Sequence, residues 1–432
     1  MRITLINQFY PPDLAPTGHL SASLVEHRAN LGDELRVITG RGGYVASSRR
    51  IELGAHERIR VHRLWTTGLG KSRLLFRLAD YLSFYLQAAA WMIFLPRQDV
   101  IITLTTPPLI GLAAALHKCL HPSAKIILWN MDCYPDVAES VGLIKRGSLM
   151  SRVVRLLVRL QFRSISHLVT LDGAMSRLLL SQYQPAEREL PTSVIPNWER
   201  LSQFPSVANG RSQAADVSDG DDDPLTVLYL GNTGYGHSFD AVIEAARRLQ
   251  GRAVRLLFIG GGKRWREIVD AKKKHGLDNI ELRAYVPKEE TPAVMRSADF
   301  ALITLHDWAL GIMSPSKMHS NLAMGLPIIY VGPKHSNVDE AIQRFACGVS
   351  LRSGDADGLV AFLEQALRDR QQQRKLSQAA RAAFDAQYCD ASTLPQFDAV
   401  IESVISGSNR STPSRALDET VANANGGVAA TL

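Results

Sequence analysis

Short apolar runs alternate with longer segments of helical periodicity along most of the chain. Runs of strand length separated by helical stretches are typical of parallel sheets covered by helices on both faces. The pattern occurs twice, so we predict an α/β protein with two Rossmann-like, doubly wound domains. The predicted strands are Ile3–Ile6, Leu35–Thr39, Ile59–Leu64, Val100–Leu104, Lys125–Trp129 and Leu168–Leu171, followed by Thr226–Leu230, Val254–Ile259, Ile280–Arg283, Phe300–Thr304 and Pro327–Val331.

The length of 432 residues also favours two domains, because single cores stop growing at roughly 250–300 residues. We expect a first domain over residues 1–200 and a second over 225–370, joined by a flexible acidic linker at 206–224. The linker ends in five residues, 219–223, that contain an Asp-x-Asp pattern. Its polar surroundings favour a solvated tract over a metal site. Helices at 371–405 are expected to pack back on the first domain, with Arg370–Tyr388 crossing it, and 406–432 form a disordered tail.

The formal charge of +7 and pI of about 9.2 are compatible with anionic partners. Nucleotides and an acidic membrane surface fit, whereas no zinc-finger spacing or aromatic-basic motif supports nucleic acid. The four cysteines are far apart, which predicts reduced thiols in a cytoplasmic protein. The first residues run directly into a strand and not into a signal peptide, so secretion is not expected.

One short helix is bounded closely by the sequence. Ser314 suits its N-cap, Pro315 its first position and Gly325 the residue after its end. Lys317 then falls in the first turn, where the helix dipole disfavours a cation. An anion such as a phosphate bound at this point would resolve the conflict. Equally, the lysine could point into water.

Two glycine loops follow predicted strands. A proline-rich loop passes through Thr17 and Gly18 after the first strand, and the segment from Gly231 to His237, with Asn232 and Gly234, follows the first strand of the second domain. Loops at the carboxyl ends of parallel strands bind ligands and offer N–H groups to anions. The second loop reads G-x-x-G-x-G, and no acidic residue ends the next strand. This argues against a dinucleotide, and we expect neither a cofactor nor a metal.

Two segments of the first domain could meet a membrane. Residues 81–95 are apolar on nearly all sides within a helix predicted over 71–97. They are too few to span a bilayer and form either a core helix or an interfacial anchor flanked by basic residues. Arginines at positions 152, 155, 159 and 163 form one stripe on a helix whose other face is Leu and Val. That stripe is either a solvated face or a contact with an anionic leaflet.

An ordered set of short motifs resembles the retaining glycosyltransferases of family 4, in the bacterial branch that builds surface polysaccharides such as colanic acid and O-antigen. The motifs are Tyr10-Pro11-Pro12-Asp13, Leu104 to Leu109, Asp132-Cys133-Tyr134-Pro135-Asp136 with Gly142-Leu143, Val194 to Trp198, Gly231 to Gly234, Tyr285-Val286-Pro287, Pro315-Ser316-Lys317 and Ala323 to Pro327. The resemblance implies a GT-B fold, with two domains facing a cleft, and transfer from a nucleotide-diphosphate sugar to a lipid-linked or cell-envelope glycan. The enzyme would work at the cytoplasmic face of the membrane, peripherally bound to it.

The resemblance also implies roles for single residues. Thr17 and Gly18 would approach the donor diphosphate together with the loop at Gly231, Asn232 and Gly234. Val286 would lie where the family holds the base of the nucleotide. The family's Arg near Asn232, its Lys near His237 and its glutamates at the positions of Ile312 and Ser320 are absent. Lys317, with Ser316 beside it and with help from His237, would then neutralise the diphosphate, and Ser320 or Asn321 would bond a hydroxyl. Asp132 is the candidate for orienting the acceptor hydroxyl, or else a turn residue.

Two alternatives share this architecture. A hydrolysing sugar-nucleotide epimerase would need carboxylates at the cleft, and the missing glutamates count against it. A non-catalytic partner subunit would use the fold only to bind another transferase. Turnover of a sugar donor distinguishes all three.

Overall fold

The computed structural model describes residues 1–13, 15–41, 56–67, 74–204, 224–287 and 289–407. Residues 206–223 of the predicted linker, with their acidic cluster, lie outside this range, as do the tail from 408 onward and two of the basic residues, Lys71 and Arg73, that flank the predicted apolar helix.

The first domain contains a seven-stranded parallel sheet with the order β3-β2-β1-β4-β5-β6-β7. Its strands are nearly continuous apolar runs because helices cover both faces. The strands are β1 (Arg2–Ile6), β2 (Glu34–Gly40), β3 (Ile59–Leu64), β4 (Val100–Thr103), β5 (Lys125–Trp129), β6 (His167–Thr170) and β7 (Thr192–Val194). The helices are α1 (Pro16–Asn30), α2 (Leu74–Phe94), α3 (Gly111–Leu120), α4 (Asp136–Ser140), α5 (Leu149–Ser164) and α6 (Gly173–Tyr183).

The second domain contains a six-stranded parallel sheet with the order β10-β9-β8-β11-β12-β13. Its strands are β8 (Leu225–Asn232), β9 (Val254–Gly261), β10 (Ile280–Arg283), β11 (Phe300–Thr304), β12 (Ile328–Val331) and β13 (Gly348–Leu351). The helices are α7 (Asp240–Arg248), α8 (Trp265–His275), α9 (Thr291–Arg296), α10 (Lys317–Ala323), α11 (Asn337–Phe345), α12 (Ala356–Arg368) and α13 (Arg370–Ala383), and α14 (Asp390–Ser406) follows. Two doubly wound domains are therefore confirmed.

The chain returns to the first domain through α14, and not through the stretch Arg370–Tyr388 that the sequence suggested. Leu376 and Ala380 of α13 are buried in the cores of the second domain. Phe397 of α14 is instead buried in the first core, where its ring meets Trp129 at 4.7 Å and Trp198 at 5.7 Å between centroids. Helix α14 carries a larger apolar face than α13, and α14 is the helix that the first core buries.

The outer helices of the first domain also differ from the predicted pattern. Arg155 does not belong to a solvated stripe, since its guanidinium bonds to Asp136 at 3.0 Å and Glu139 at 2.8 Å. The exposed face of α5 instead combines the remaining arginines with apolar side chains, and α2 exposes several of its own. The predicted arginine stripe is therefore interrupted at Arg155, whereas Arg152, Arg159 and Arg163 are exposed, and part of the Leu and Val of this helix is exposed as well.

Candidate active site

The second glycine loop leaves β8 in a conformation that glycine alone adopts readily. Gly231 has a φ of 124°, and Gly260 and Gly262 at the end of the neighbouring strand have φ values of 142° and 137°. A Cβ on Gly260 would lie 2.1 Å from the carbonyl oxygen of Gly231. Side chains are thus excluded where the two strand ends meet, and the backbone there can approach a ligand closely.

Lys317 reaches this loop from the first position of α10. Its Nζ lies 3.1 Å from the hydroxyl oxygen of Tyr229, 3.1 Å from the carbonyl oxygen of Asn232 and 3.3 Å from Nε2 of His237. All three neighbours are neutral acceptors. No carboxylate of the described residues forms an ion pair with this ammonium group.

The tautomer of His237 follows from its second ring nitrogen. Nδ1 lies 2.8 Å from the carbonyl oxygen of Thr304, which can only accept, so Nδ1 carries the proton. Nε2 is then a lone-pair acceptor that faces the Lys317 ammonium. Burial, reinforced by the charge of Lys317, lowers the pKa of His237 to about 3. The imidazole is therefore neutral at physiological pH and orients the lysine.

Burial also lowers the pKa of Lys317, from 10.5 to about 8. Desolvation disfavours the charged form because the surrounding acceptors carry dipoles but no counter-charge. The ammonium also lies 4.8 Å from the centre of the Tyr229 ring, which stabilises it in part. The arrangement is a cationic site that an anion would complete.

Helix α10 begins two residues later than the sequence indicated. Ser314 is not its N-cap; the cap position is Ser316, whose side chain makes no capping bond. The Ser314 side chain instead lies close to Asp172 of the first domain, where it offsets part of the rise that burial causes in the pKa of that carboxyl. The predicted end is confirmed, since Gly325 has a φ of 65° and its N–H bonds to the carbonyl of Leu322. Lys317 therefore stays in the first turn.

Three predicted donor-binding residues on α10 have different environments. Ser316 is exposed, and Ser320 is partly exposed with its hydroxyl 3.3 Å from the carbonyl oxygen of Lys317. Asn321 is buried, at 6% exposure, so that Ser320 is the accessible residue of the two proposed for a hydroxyl. Val286 follows β10 and is partly buried against a small core cluster, while the hydroxyl of the neighbouring Tyr285 donates to the carbonyl of Gly261 at 3.2 Å.

The remaining residues predicted to bind the sugar donor are Gly234 and the two residues of the first glycine loop, Thr17 and Gly18. Gly234 follows Asn232 closely, and a Cβ on it would lie 3.5 Å from the Asn232 amide nitrogen. Thr17 and Gly18 form the first turn of α1, directly after β1, where the helix has no capping side chain and no acidic residue. A Cβ on Gly18 would lie 3.4 Å from the backbone of Phe9 and Tyr10. Pro16 has no N–H, and the N–H of Gly18 donates to the carbonyl of Ala15 at 2.9 Å, so the helix dipole at this start acts on a ligand mainly through Thr17.

Asp132 lies on the first domain where the two domains touch. Its backbone N–H donates to the hydroxyl of Thr105 at 3.2 Å, which fixes the turn after β5. The next residue, Cys133, donates its N–H to the carbonyl of Ile312 at 3.3 Å. Ile312 packs against the first core, so the side chain that replaces the family's glutamate contributes to the domain contact. The strand ends of both sheets thus face one another across this contact.

Sequence reasoning did not find Tyr229 and Thr304, which position Lys317 and His237. Both lie inside strands, and their polar groups looked like ordinary strand residues. Tyr229 precedes the glycine loop on β8, and the pairing of β8 with β11 brings Thr304 to the same place. Among the described residues, no group of three histidine, cysteine, aspartate or glutamate side chains could hold a metal ion.

Comparison with protein families finds a match in the second half of the chain. Residues 211–383 match the model of the glycosyl transferases group 1. One relative, WcaI of Escherichia coli K12, is named as a colanic acid biosynthesis glycosyl transferase and is 24% identical over 383 residues, 85% of this chain and 92% of that protein. WbjE of Pseudomonas aeruginosa, named as a glycosyltransferase, is 24% identical over 302 residues, 68% of this chain and 73% of that protein.

Solved structures agree on the fold. A sucrose-phosphate synthase from Thermosynechococcus elongatus matches 94% of this chain and 99% of its own with a TM-score of 0.68 at 15% identity. HepE of Anabaena in complex with UDP-glucose matches 93% of this chain and 100% of its own, with a TM-score of 0.64 at 14% identity. The chain is therefore a glycosyltransferase of GT-B fold, and its residues 211–383 resemble the glycosyl transferases group 1.

Proposed function

We propose that this glycosyltransferase takes its sugar from a nucleotide diphosphate and that Lys317 binds the diphosphate. The observation that carries the proposal is the partly buried ammonium group, surrounded by neutral acceptors beside the glycine loop. A cation held without a counter-charge in a desolvated site gains most from an anionic ligand. HepE, which shares the fold, is described in complex with UDP-glucose, and this supports a nucleotide-sugar donor here.

The chemistry we propose is transfer with retention at the anomeric carbon. The bond between the anomeric carbon and the diphosphate oxygen breaks, and the acceptor oxygen bonds to the same face of the sugar. The acceptor hydroxyl's proton passes to the departing diphosphate oxygen. The protein's part is then to stabilise the negative charge on the diphosphate, through Lys317 and the start of α1, and to position the acceptor, through Asp132.

The acceptor we propose is a lipid-linked or cell-envelope glycan at the cytoplasmic face of an anionic membrane. The name of WcaI, which refers to colanic acid biosynthesis, supports a surface polysaccharide as the product. Among the described residues, no helix is both long and apolar enough to cross a bilayer. Contact with the membrane would therefore be peripheral.

The outer face of α5 is the surface that best fits such a contact. Leu149 is 78% exposed and Leu156 54% exposed, and with Val153 and Leu160 they form one stripe at spacings of four, three and four. Arg152, Arg159 and Arg163 are exposed on a neighbouring stripe. Exposed leucines beside arginines suit the interface of an anionic bilayer, where apolar side chains insert and guanidinium groups meet phosphates.

Helices α2 and α3 extend this surface. Helix α3 packs between α2 and α5 on one side of the sheet. Leu116 and Leu120 of α3 are exposed, as are Leu86 and Phe94 of α2, with Phe94 at 86%. Exposed apolar side chains on three adjacent helices cover a larger area than the single exposed leucines that are common on protein surfaces. Such an area indicates a contact surface.

The donor is tested by incubating the full chain with UDP-, GDP- and dTDP-sugars plus membrane lipid extract and measuring nucleotide release. We expect release with one class of donor, and thermal stabilisation by the matching nucleotide diphosphate. Absence of both effects with every donor would contradict the proposal. A positive result still leaves retention open, which NMR of the anomeric configuration in the product decides.

The membrane contact is tested by sedimentation with vesicles of phosphatidylglycerol and phosphatidylethanolamine. Replacing Leu149 and Leu156 by serine is expected to reduce binding, and replacing Arg152 and Arg159 by glutamine should reduce it more at low salt than at high salt. Ile405→Ser, which alters an exposed apolar residue of α14, is the matched control. Equal binding of all variants would contradict this surface.

A further inference from the structure

Two arginines lie side by side on adjacent strands near one edge of the first sheet. Arg36 of β2 and Arg60 of β3 are partners in the parallel register, so their side chains leave the sheet on the same face from Cα atoms about 5 Å apart. His62 follows two residues later on β3 and therefore shares that face. We call these three residues the Arg36 cluster.

The positive charge of the cluster is not neutralised by direct contact within the described part of the chain. Arg60 is exposed and Arg36 partly exposed, and neither forms an ion pair with a described carboxylate. Nε of Arg36 is buried without a hydrogen-bond partner among the described residues. Burial and the charge of Arg60 lower the pKa of Arg36, and Glu34 offsets this in part. The cluster therefore has room for an anionic ligand.

A structural role of charged residues on edge strands accounts for only one of the two arginines. Charged side chains protect an edge strand from pairing with another sheet, and β3 is such a strand. Arg36 gains nothing from this role, because β2 is paired on both sides, with β1 and with β3. Like charges on neighbouring strands repel each other, so the free chain carries a cost that a bound anion would offset.

Helix α2 runs antiparallel beside β3 and ends next to the cluster. Gln87 exchanges two hydrogen bonds with the backbone of Trp65, directly after β3, at 3.1 and 2.6 Å. One turn later along α2, the ring of Trp91 lies 4.4 Å from that of His62 between centroids. Residue numbers thus rise along the helix as they fall along the strand, so the last turn of α2 lies toward Arg60.

This last turn of α2 exposes aromatic side chains. Trp91 is 38% exposed and Phe94 86% exposed, and residues three apart are neighbours on a helix surface. The cluster therefore has cations on the strands and apolar rings on the helix beside them. Arginines next to exposed aromatic rings suit a ligand that joins an anion to an apolar chain, as at the surface of a bilayer.

We propose that the Arg36 cluster binds the phosphate group of a phospholipid, with Trp91 and Phe94 packing against its glycerol and acyl chains. This rests on the proposed function, since it assigns a lipid site beside the surface of α2, α3 and α5 that would meet the membrane. The guanidinium groups of Arg36 and Arg60 would share the phosphate oxygens, because each offers several N–H donors. His62 holds Trp91 in place through their ring contact.

Binding of a soluble short-chain lipid tests the proposal. Saturation-transfer NMR titrations of the full chain would compare dihexanoyl phosphatidylglycerol, below its micelle concentration, with inorganic phosphate and with dihexanoylglycerol. We expect the phosphatidylglycerol to bind more tightly than either, because only it has both the anion and the apolar chains. Inorganic phosphate that binds as tightly would overturn a lipid site, and dihexanoylglycerol that binds as tightly would overturn the role of the arginines.

Substitutions in the cluster assign the site. Replacing Arg36 and Arg60 together by glutamine should weaken dihexanoyl phosphatidylglycerol by roughly tenfold or more, the effect of one charge-assisted contact. Phe94→Ser should weaken the lipid but not inorganic phosphate. Arg296→Gln, which removes an exposed arginine from the second domain, is the matched control. Unchanged lipid affinity in the double variant would overturn the proposal.

Thermal stability separates binding from a role in the fold. Arg60→Gln removes repulsion from an exposed position, so the melting temperature should stay the same or rise. A clear fall would mean that Arg60 supports the sheet, and would overturn the proposal. Unaltered lipid affinity in Arg60→Gln and in Arg36→Gln, each tested alone, would do the same.

Vesicles keep this proposal distinct from the proposed membrane contact. If the unaltered chain and the double arginine variant sediment equally well with phosphatidylglycerol vesicles, the membrane contact is supported and the Arg36 cluster is contradicted. If the unaltered chain does not sediment with these vesicles, the membrane contact is contradicted. Binding of dihexanoyl phosphatidylglycerol that depends on both arginines would then still support the phosphate site.

Discussion

Nζ of Lys317 lies 3.3 Å from Nε2 of His237, and the histidine's other nitrogen donates to the carbonyl of Thr304. The chain therefore fixes a neutral imidazole with its lone pair toward a partly buried ammonium group. This pair couples helix α10 to the end of β11 and holds the lysine beside Gly231.

The affinity for UDP is expected to fall as pH rises from about 7 to 9. The free enzyme holds Lys317 with a pKa lowered to about 8, while a bound diphosphate favours the cation and raises that pKa. Binding near pH 8 should therefore take up a proton, which calorimetry in buffers of different ionisation enthalpy would detect. Lys317→Arg remains charged throughout this range, so an equal pH dependence in that variant would contradict the assignment.

The lowered pKa of Lys317 also determines the direction in which the free energy of unfolding changes with pH. A lysine whose pKa is lower in the folded than in the unfolded state makes the unfolded chain bind more protons between about pH 8 and 10.5. The contribution of Lys317 to the free energy of unfolding should therefore rise with pH across this window. Lys317→Met would remove that rise, and urea titrations of both proteins at pH 8 and 10 measure it. An unchanged slope would show that Lys317 does not titrate there.

Replacing His237 tests whether it positions Lys317. His237→Leu removes the acceptor at Nε2, and we expect the KM for the donor to rise about threefold to tenfold with a smaller change in kcat. His237→Gln retains an acceptor and should restore part of the affinity. If both variants behave alike, the imidazole serves only to fill space.

Gly231 is expected to be needed for both conformation and access. An alanine there would adopt a φ of 124° and place its Cβ 2.9 Å from Cε of Lys317. Gly231→Ala should lower stability by about 1–3 kcal/mol and weaken UDP binding. Gly251→Ala is the matched control, since Gly251 also has a positive φ, of 76°, but open space around it. Equal UDP affinity in the two variants would contradict the predicted displacement of the lysine.

The return helix α14 is expected to stabilise the first domain. Phe397 is fully buried and packs edge-on against Trp129 and Trp198, so Phe397→Ala should cost about 3–5 kcal/mol and change the tryptophan emission. Ile405→Ala, an exposed position of the same helix, should cost little. Denaturant titration followed by fluorescence compares them. A small effect of Phe397→Ala would mean that the helix is dispensable.

The sequence predicted the two sheets because each strand is a buried apolar run between helices. It missed β7 and β13, since Thr192–Val194 and Gly348–Leu351 are short edge strands with small or polar residues. The end of α10 was predictable from Gly325, whose local conformation needs a glycine. Its start was not, because Ser314 lies close to Asp172 of the other domain, and a local capping pattern cannot include that neighbour.

The candidate site was also predictable only in part, because its contacts join residues that lie far apart along the chain. The position of Lys317 in a first turn pointed to an anion from local chemistry alone. Its three acceptors come from the end of β8 and the loop that follows it, up to 88 residues away along the chain. The position of Thr304 follows from the pairing of β8 with β11, and no local pattern marks its role or that of Tyr229.

The central claim is that Lys317 binds the donor diphosphate, and the most direct test compares UDP with uridine. The ratio of their dissociation constants isolates the diphosphate contact, in the unaltered chain, in Lys317→Met and in the exposed control Lys273→Met. We predict that Lys317→Met lowers the preference for UDP by roughly tenfold or more, the value of one charge-assisted contact, while Lys273→Met leaves it unchanged. A preference for UDP that survives intact in Lys317→Met would contradict the claim.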